Sequence, residues 1–249
     1  MLVYGEGGVG KTTFGATAPK PLLADCENGA KYFGLRGIEM NVARITKWED
    51  MKDFLLEGMK PEYETLIIDP IGELMDKLKR RMVALGDKKL VQADGSPTMA
   101  GWGWLKKTMR DYLKALRDTG KNILIVAHIE EKEDEGRIIK RPKIETRLSD
   151  DLVNMVDVVG YMTVINDGEK DKRIIIVDAS SDKYTAKDRS GQLGKVILPD
   201  FKQIMSKTQG EDYKWEEPKK EPEQKEGPSE SVEEAKVEEV KKKSKPKKE

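Results

Sequence analysis

Four glycines, a lysine and a threonine stand near the start of the sequence as Gly5-Glu6-Gly7-Gly8-Val9-Gly10-Lys11-Thr12, a spacing suited to holding a chain of phosphates. Backbone N–H groups grip phosphates from a glycine-rich turn and from the helix that follows it, and side chains there would block the approach. Lys11 then reaches the outer two phosphates, the Thr12 hydroxyl can ligate Mg²⁺, and Thr13 continues the cradle. The second half of such a site is a carboxylate ending an apolar strand, where it orders the metal and its waters, and Leu66-Ile67-Ile68-Asp69 supplies it. Thr12 and Asp69 are therefore the expected metal pair, with ATP as the phosphate compound.

These groups need strands to carry them. Apolar runs at 2–4, 21–25, 41–45, 65–69 and 122–128 end in or near Asp, Glu or His, and stretches with helical spacing separate them. That alternation predicts an α/β fold with a mostly parallel sheet flanked by helices. The first run is short, so either the strand is truncated or the natural start lies upstream. Thr46 and Glu49 read as a capping box for a helix through residue 58. Ile71, Leu74, Met75, Leu78, Met82 and Leu85 share a second helical face, and a third helix covers about 102–118. Runs at 158–165 and 173–178 around Asn166-Asp167-Gly168 predict a C-terminal β-hairpin.

Composition narrows the partners. The 249 residues carry 46 basic and 46 acidic side chains, so no global field draws the chain to nucleic acid or membrane and any such contact must be local. A single cysteine, Cys26, excludes an internal disulfide and fits a reducing, cytoplasmic setting. No run approaches a membrane span and no leader peptide is expected. We divide the chain into a phosphate-binding P-loop domain at 1–207 and a charged tail at 208–249. From Glu211 that tail is mostly Glu, Lys, Pro, Ser and Gln, and it is expected to be disordered, a solvated spacer or a weak contact for replication or recombination proteins.

Further motifs resemble the RecA and RadA class of ATPases. The strand ending Ala24-Asp25-Cys26-Glu27 is similar to the pattern in which a glutamate activates the attacking water, which makes Glu27 the implied general base. His128 closes Ile123-Leu124-Ile125-Val126-Ala127, where that class carries a polar γ-phosphate sensor, usually glutamine. Ala186-Lys187-Asp188-Arg189-Ser190-Gly191 resembles the paired cations that reach a neighbouring subunit's γ-phosphate, so Lys187 and Arg189 are implied catalytic groups acting in trans. The Gly-Gly-Val-Gly-Lys-Thr-Thr string also resembles partition ATPases, but Glu6 stands where those carry an extra lysine. Over residues 2–207 the set is similar to phage ATP-binding proteins of the RecA-like AAA type, including Sak-type single-strand annealing proteins. That resemblance implies an ATPase assembled as a ring or filament on single-stranded DNA, in recombination, annealing or repair.

DNA would then meet the segment after residue 128, which begins acidic at 130–135 and turns basic with Arg137, Lys140, Arg141, Lys143 and Arg147. Cations of that kind serve backbone phosphates, and Trp102 and Trp104 are candidates for base stacking. Two other classes fit the same P-loop: a nucleotide or small-molecule kinase, and a non-catalytic module that binds ATP and changes partners.

Overall fold

The computed structural model describes residues 1–209 apart from 135, 146, 147, 167 and 169. The chain separates into two units, Met1–Pro218 and Lys219–Glu249. The tail expected from 211 lies outside the described residues, as do Arg147 and the turn residue Asp167.

The parallel strands are β1 (Leu2–Gly5), β2 (Pro21–Asp25), β3 (Asn41–Arg44), β4 (Thr65–Asp69), β5 (Asn122–Asp134) and β7 (Val158–Asn166). A ribbon partner, β6 (Arg137–Pro142), precedes β7, and β8 (Asp171–Ile176), β9 (Lys187–Asp188) and β10 (Val196–Ile197) follow it. The main sheet runs β10-β8-β7-β1-β5-β4-β2-β3, with β7, β1, β5, β4, β2 and β3 mutually parallel. The expected α/β architecture, a mostly parallel sheet flanked by helices, is therefore present. The hairpin is β7–β8, antiparallel, and its first strand pairs with β1, so it widens the sheet. The short run at 2–4 becomes a fully buried strand because β5 and β7 flank it on both sides.

Alternate residues of these strands serve opposite faces, since successive side chains in a strand point to opposite sides. Leu2, Tyr4, Leu66, Ile68, Ile125 and Ala127 pack beneath α2 (Asp50–Gly58), α3 (Ile71–Ala84) and α4 (Met99–Asp118). Val3, Ile67, Leu124 and Val126 pack against Phe14 of α1 (Lys11–Gly15) and Phe201 and Ile204 of α6 (Phe201–Gln209). The short helix α5 (Leu148–Met155) closes the first face through Leu148 and Leu152. A sheet covered on both faces explains why β4 is buried at all five positions. Helix α6 carries the folded part to Gln209, two residues beyond the boundary drawn at 207.

Two local expectations are corrected. Helix α2 starts at Asp50, not near Lys47, and Glu49 makes no capping bond. The Asp50 carboxylate instead accepts from the Thr46 N–H, the Thr46 hydroxyl and the Lys47 N–H, at 2.8, 2.8 and 3.0 Å. The segment after residue 128 is not a loop. β5 continues to Asp134 and pairs antiparallel with β6, which makes a two-stranded ribbon.

Candidate active site

Parallel strands end at a common rim, and ligands of open α/β sheets bind outside those carboxyl ends. Here the register aligns Gly5 with His128 and Asp25 with Asp69, so β1, β5, β4 and β2 deliver the P-loop, the histidine and the acids to one edge.

In the P-loop the glycines have distinct reasons. A Cβ on Gly5 would meet the Met162 carbonyl oxygen at 2.3 Å, so this glycine is required by packing against β7 and not by phosphate access. Gly10 has φ +106, a conformation that suits glycine, and turns the chain into α1. The Lys11 ammonium folds back and donates to the carbonyls of Gly5 and Glu6, at 2.9 and 2.7 Å. Burial lowers its pKa, against the opposing pull of Asp69, Glu27 and Glu6. A cation held on backbone carbonyls near three carboxylates is poised to exchange those acceptors for phosphate oxygens.

The Thr12 hydroxyl donates to Asp69 Oδ2 at 2.6 Å, which joins the two halves of the expected metal pair. Desolvation pushes the Asp69 carboxyl up to about 6, with Glu27 adding to the rise and the Thr12 bond and Lys11 opposing it. Among the described residues no group of three or more His, Cys, Asp or Glu could hold a metal by itself. That suits an ion held largely by a ligand's phosphates and completed by this pair.

Glu27 and His128 meet across the rim, with Nε2 and Oε2 3.6 Å apart and side chains 41% and 46% exposed for the histidine and the glutamate. Half-open groups in contact at the end of two strands can accept a proton from a bound water. Two residues that sequence reasoning passed over hold Glu27 in place. The buried Asp25 carboxylate accepts the N–H groups of Glu27, Gly29 and Ala30, at 3.3, 3.0 and 3.0 Å. The buried Lys77 donates to the Cys26 carbonyl at 2.7 Å. Asp25 was visible as a strand-ending acid, whereas Lys77 lies among the polar positions of α3 and had no signal.

The remaining expectations fare differently. Lys187 pairs with Val159 and the Arg189 N–H donates to the Asp157 carbonyl at 2.9 Å, at the start of β7 and the opposite end of the sheet from the P-loop. The Lys187 ammonium donates to the carbonyls of Val153, Asn154 and Val156, at 2.9, 3.1 and 2.8 Å. Arg189 pairs with Asp157 at 2.6 Å and donates to the Asn154 carbonyl at 3.0 Å. Both cations cap the C-terminus of α5, because unpaired helix carbonyls attract cations, and they stand apart from this chain's own P-loop rim.

The ribbon cations are also engaged. Arg141 meets Glu130 at 2.6 Å, Lys140 meets Glu131 at 3.8 Å, and Arg137 meets Asp182 at 3.6 Å, while Lys143 is exposed where β6 ends. Trp102 and Trp104 are partly buried against the core, and Lys79 lies 5.6 Å above the Trp102 ring.

A protein family described as AAA domain matches residues 1–190, which take in the P-loop, Glu27, Asp69, His128 and both α5-capping cations. Among solved structures the chain is similar to a prototypical ATPase from the type III secretion system of pathogenic bacteria. Identity is 13% and the TM-score 0.43, over 65% of this chain and 50% of that one, so the chain spans about half that protein's length. It is also similar to a KaiC-like protein from the archaeon Pyrococcus horikoshii OT3, with 13% identity and TM-score 0.42 over 70% and 76% of the two chains. A third likeness is to the flagellar accessory protein FlaH from Methanocaldococcus jannaschii, with 12% identity and TM-score 0.38 over 75% and 80%. No curated protein matches the sequence.

Proposed function

The chain belongs to the AAA domain family, and we propose that this P-loop ATPase hydrolyses Mg·ATP with Glu27 as general base and acts on single-stranded DNA in phage recombination, annealing or repair. The observation that carries the hydrolytic reading is the contact of Glu27 with His128 at the rim that holds Lys11, Thr12 and Asp69. Glu27 takes the proton of the attacking water, His128 orients that carboxylate and senses the γ-phosphate, and Lys11 answers the charge that develops on the phosphoryl oxygens. Mg²⁺ would neutralise charge between the outer phosphates. The residues fit it: the Thr12 and Asp69 oxygens are 2.6 Å apart, near the roughly 3 Å between neighbouring ligands of an octahedral ion with bonds of about 2.1 Å.

The DNA part rests on one continuous element. β5 carries His128 at the site and then runs six residues further as one strand of the ribbon that bears Arg137, Lys140, Arg141 and Lys143. A nucleotide that shifts His128 thereby pulls directly on the ribbon. Assembly of several copies belongs to the same proposal, because Glu27 and His128 are half exposed and hydrolysis gains from a cover that excludes bulk water.

Turnover of ATP with and without single-stranded DNA tests both parts. Glu27→Gln should bind ATP as the wild type does and lose hydrolysis by a hundredfold or more, since general acid–base catalysis is worth about 10² to 10⁴. A Glu27→Gln chain with normal turnover places the base elsewhere. No stimulation by DNA removes the DNA part, and phosphate transfer to an added nucleoside monophosphate selects a kinase instead.

A further inference from the structure

On the other side of the P-loop lies a cleft of about 360 Å³, lined by Gly8, Gly10 and Thr13 together with Ile38, Pro199 and Arg173. Small-molecule sites occupy about 300–1,000 Å³, so the cleft is of ligand size. Its floor is apolar, since Phe14 and Met162 line it and both are buried. Two cations line it, Arg36 and Arg173, and only the second is held on the P-loop backbone. Arg173 of β8 donates from Nε to the Val9 carbonyl at 3.0 Å, and a Cβ on Gly10 would lie 3.2 Å from that nitrogen.

The sheet order settles which end of a nucleotide can lie there. Glu27, Asp69 and His128 stand on β2, β4 and β5, all to one side of β1, so the reacting phosphate belongs on that side. The nucleoside must leave the P-loop the opposite way, toward β7 and β8, which carry Met162 and Arg173. Resting on the P-loop reading of the site, we infer that this cleft holds the nucleoside half of a nucleoside phosphate and that Arg173 is a second phosphate ligand, supplied in cis by the hairpin. Ile38 and Pro199 face the base and sugar. The Arg173 guanidinium, already on the P-loop backbone, adds a charged donor where the phosphate chain turns into the cleft, and charge-assisted bonds of this kind are about twice as strong as neutral ones. Binding of nucleotide is thereby reported to the β7–β8 hairpin, on the far side of β1 from Glu27 and His128.

Calorimetry on the full chain with Mg·ATP, Mg·ADP and inorganic tripolyphosphate tests the inference. Ile38→Trp fills the cleft and should weaken ATP and ADP at least tenfold while leaving tripolyphosphate unchanged. Arg173→Ala and Arg173→Gln should each weaken all three about tenfold, and Arg173→Lys should recover part of the loss. Glutamine keeps an N–H for the Val9 carbonyl but has no charge, so wild-type affinity in Arg173→Gln would reduce the arginine to a brace and overturn its role as a ligand. Wild-type affinity for ADP in Ile38→Trp, or a parallel loss of tripolyphosphate, would overturn the nucleoside site. Lys11→Ala separates this from the underlying reading. It should abolish binding of all three compounds, and if it binds ATP normally the P-loop reading itself fails, whatever the cleft variants do.

Discussion

Asp69 shows what a reactive rim costs the chain that carries it. Its carboxyl is buried at the end of β4, and desolvation raises it from 3.8 to about 6. A folded pKa above the unfolded one means that the folded chain binds the extra proton between those values. Stability is therefore fullest below about pH 4 and falls as pH rises through about 6, where the folded carboxyl must finally ionise in place. At neutral pH the penalty is on the order of 3 kcal/mol in the protein free of nucleotide and metal. Asp69→Asn keeps an oxygen for the Thr12 hydroxyl and has no charge to bury. It should raise Tm at pH 7, with the advantage over wild type closing by about pH 4, while catalysis is lost. Thermal melts across that range check it, and an Asp69→Asn chain no more stable than wild type at pH 7 would mean that the buried charge is better compensated than the geometry indicates.

Among the elements, strands were far more legible than the connections between them. The runs at 21–25 and 65–69 are strands at the positions read from sequence, because a strand buried on both faces shows as an unbroken apolar run closed by a polar residue. Gly5, Lys11, Thr12 and Asp69 were legible for the same reason, as fixed spacing beside such runs. The β5–β6 ribbon was not, since Glu130 to Lys143 is mostly charged and Ile138-Ile139 is too short an apolar run to mark a pair of strands. Nor was the place of Lys187, because a lysine that caps a helix 31 to 34 residues earlier in the chain leaves no local pattern. Its three carbonyl acceptors at the end of α5 assign it a structural job. Lys187→Met should cost about 2 kcal/mol, or roughly 4–8 °C in Tm, because a charged hydrogen bond contributes about 1.5–3 kcal/mol. Arg189→Ala should cost less, as its pairing with Asp157 is more than half exposed on both sides. Full stability in Lys187→Met together with abolished turnover would return the residue to catalysis between subunits.

Across the whole molecule charge balances to zero, so any hold on DNA depends on how the ribbon distributes its cations. Arg141 and Lys140 face Glu130 and Glu131 across the strand pair, and a DNA phosphate must compete with those carboxylates. Competition of this kind gives a test with two opposite signs. Neutralising Arg137, Lys140, Arg141 and Lys143 together should weaken binding of single-stranded DNA and flatten its dependence on salt by up to about 3 in log–log slope, at about 0.7 for each phosphate no longer neutralised. Glu130→Gln with Glu131→Gln removes the competitors and leaves the cations in place, so it should strengthen binding at low salt. A ribbon that only braces the fold responds to neither change in its affinity for DNA, although its Tm falls with both. Fluorescence anisotropy of a labelled oligonucleotide across a salt series reads both variants. If the four-cation variant keeps its slope, or the glutamine pair binds no tighter than wild type, the DNA does not run along this ribbon, and the continuity of β5 from His128 to Asp134 loses its proposed part in coupling nucleotide to DNA.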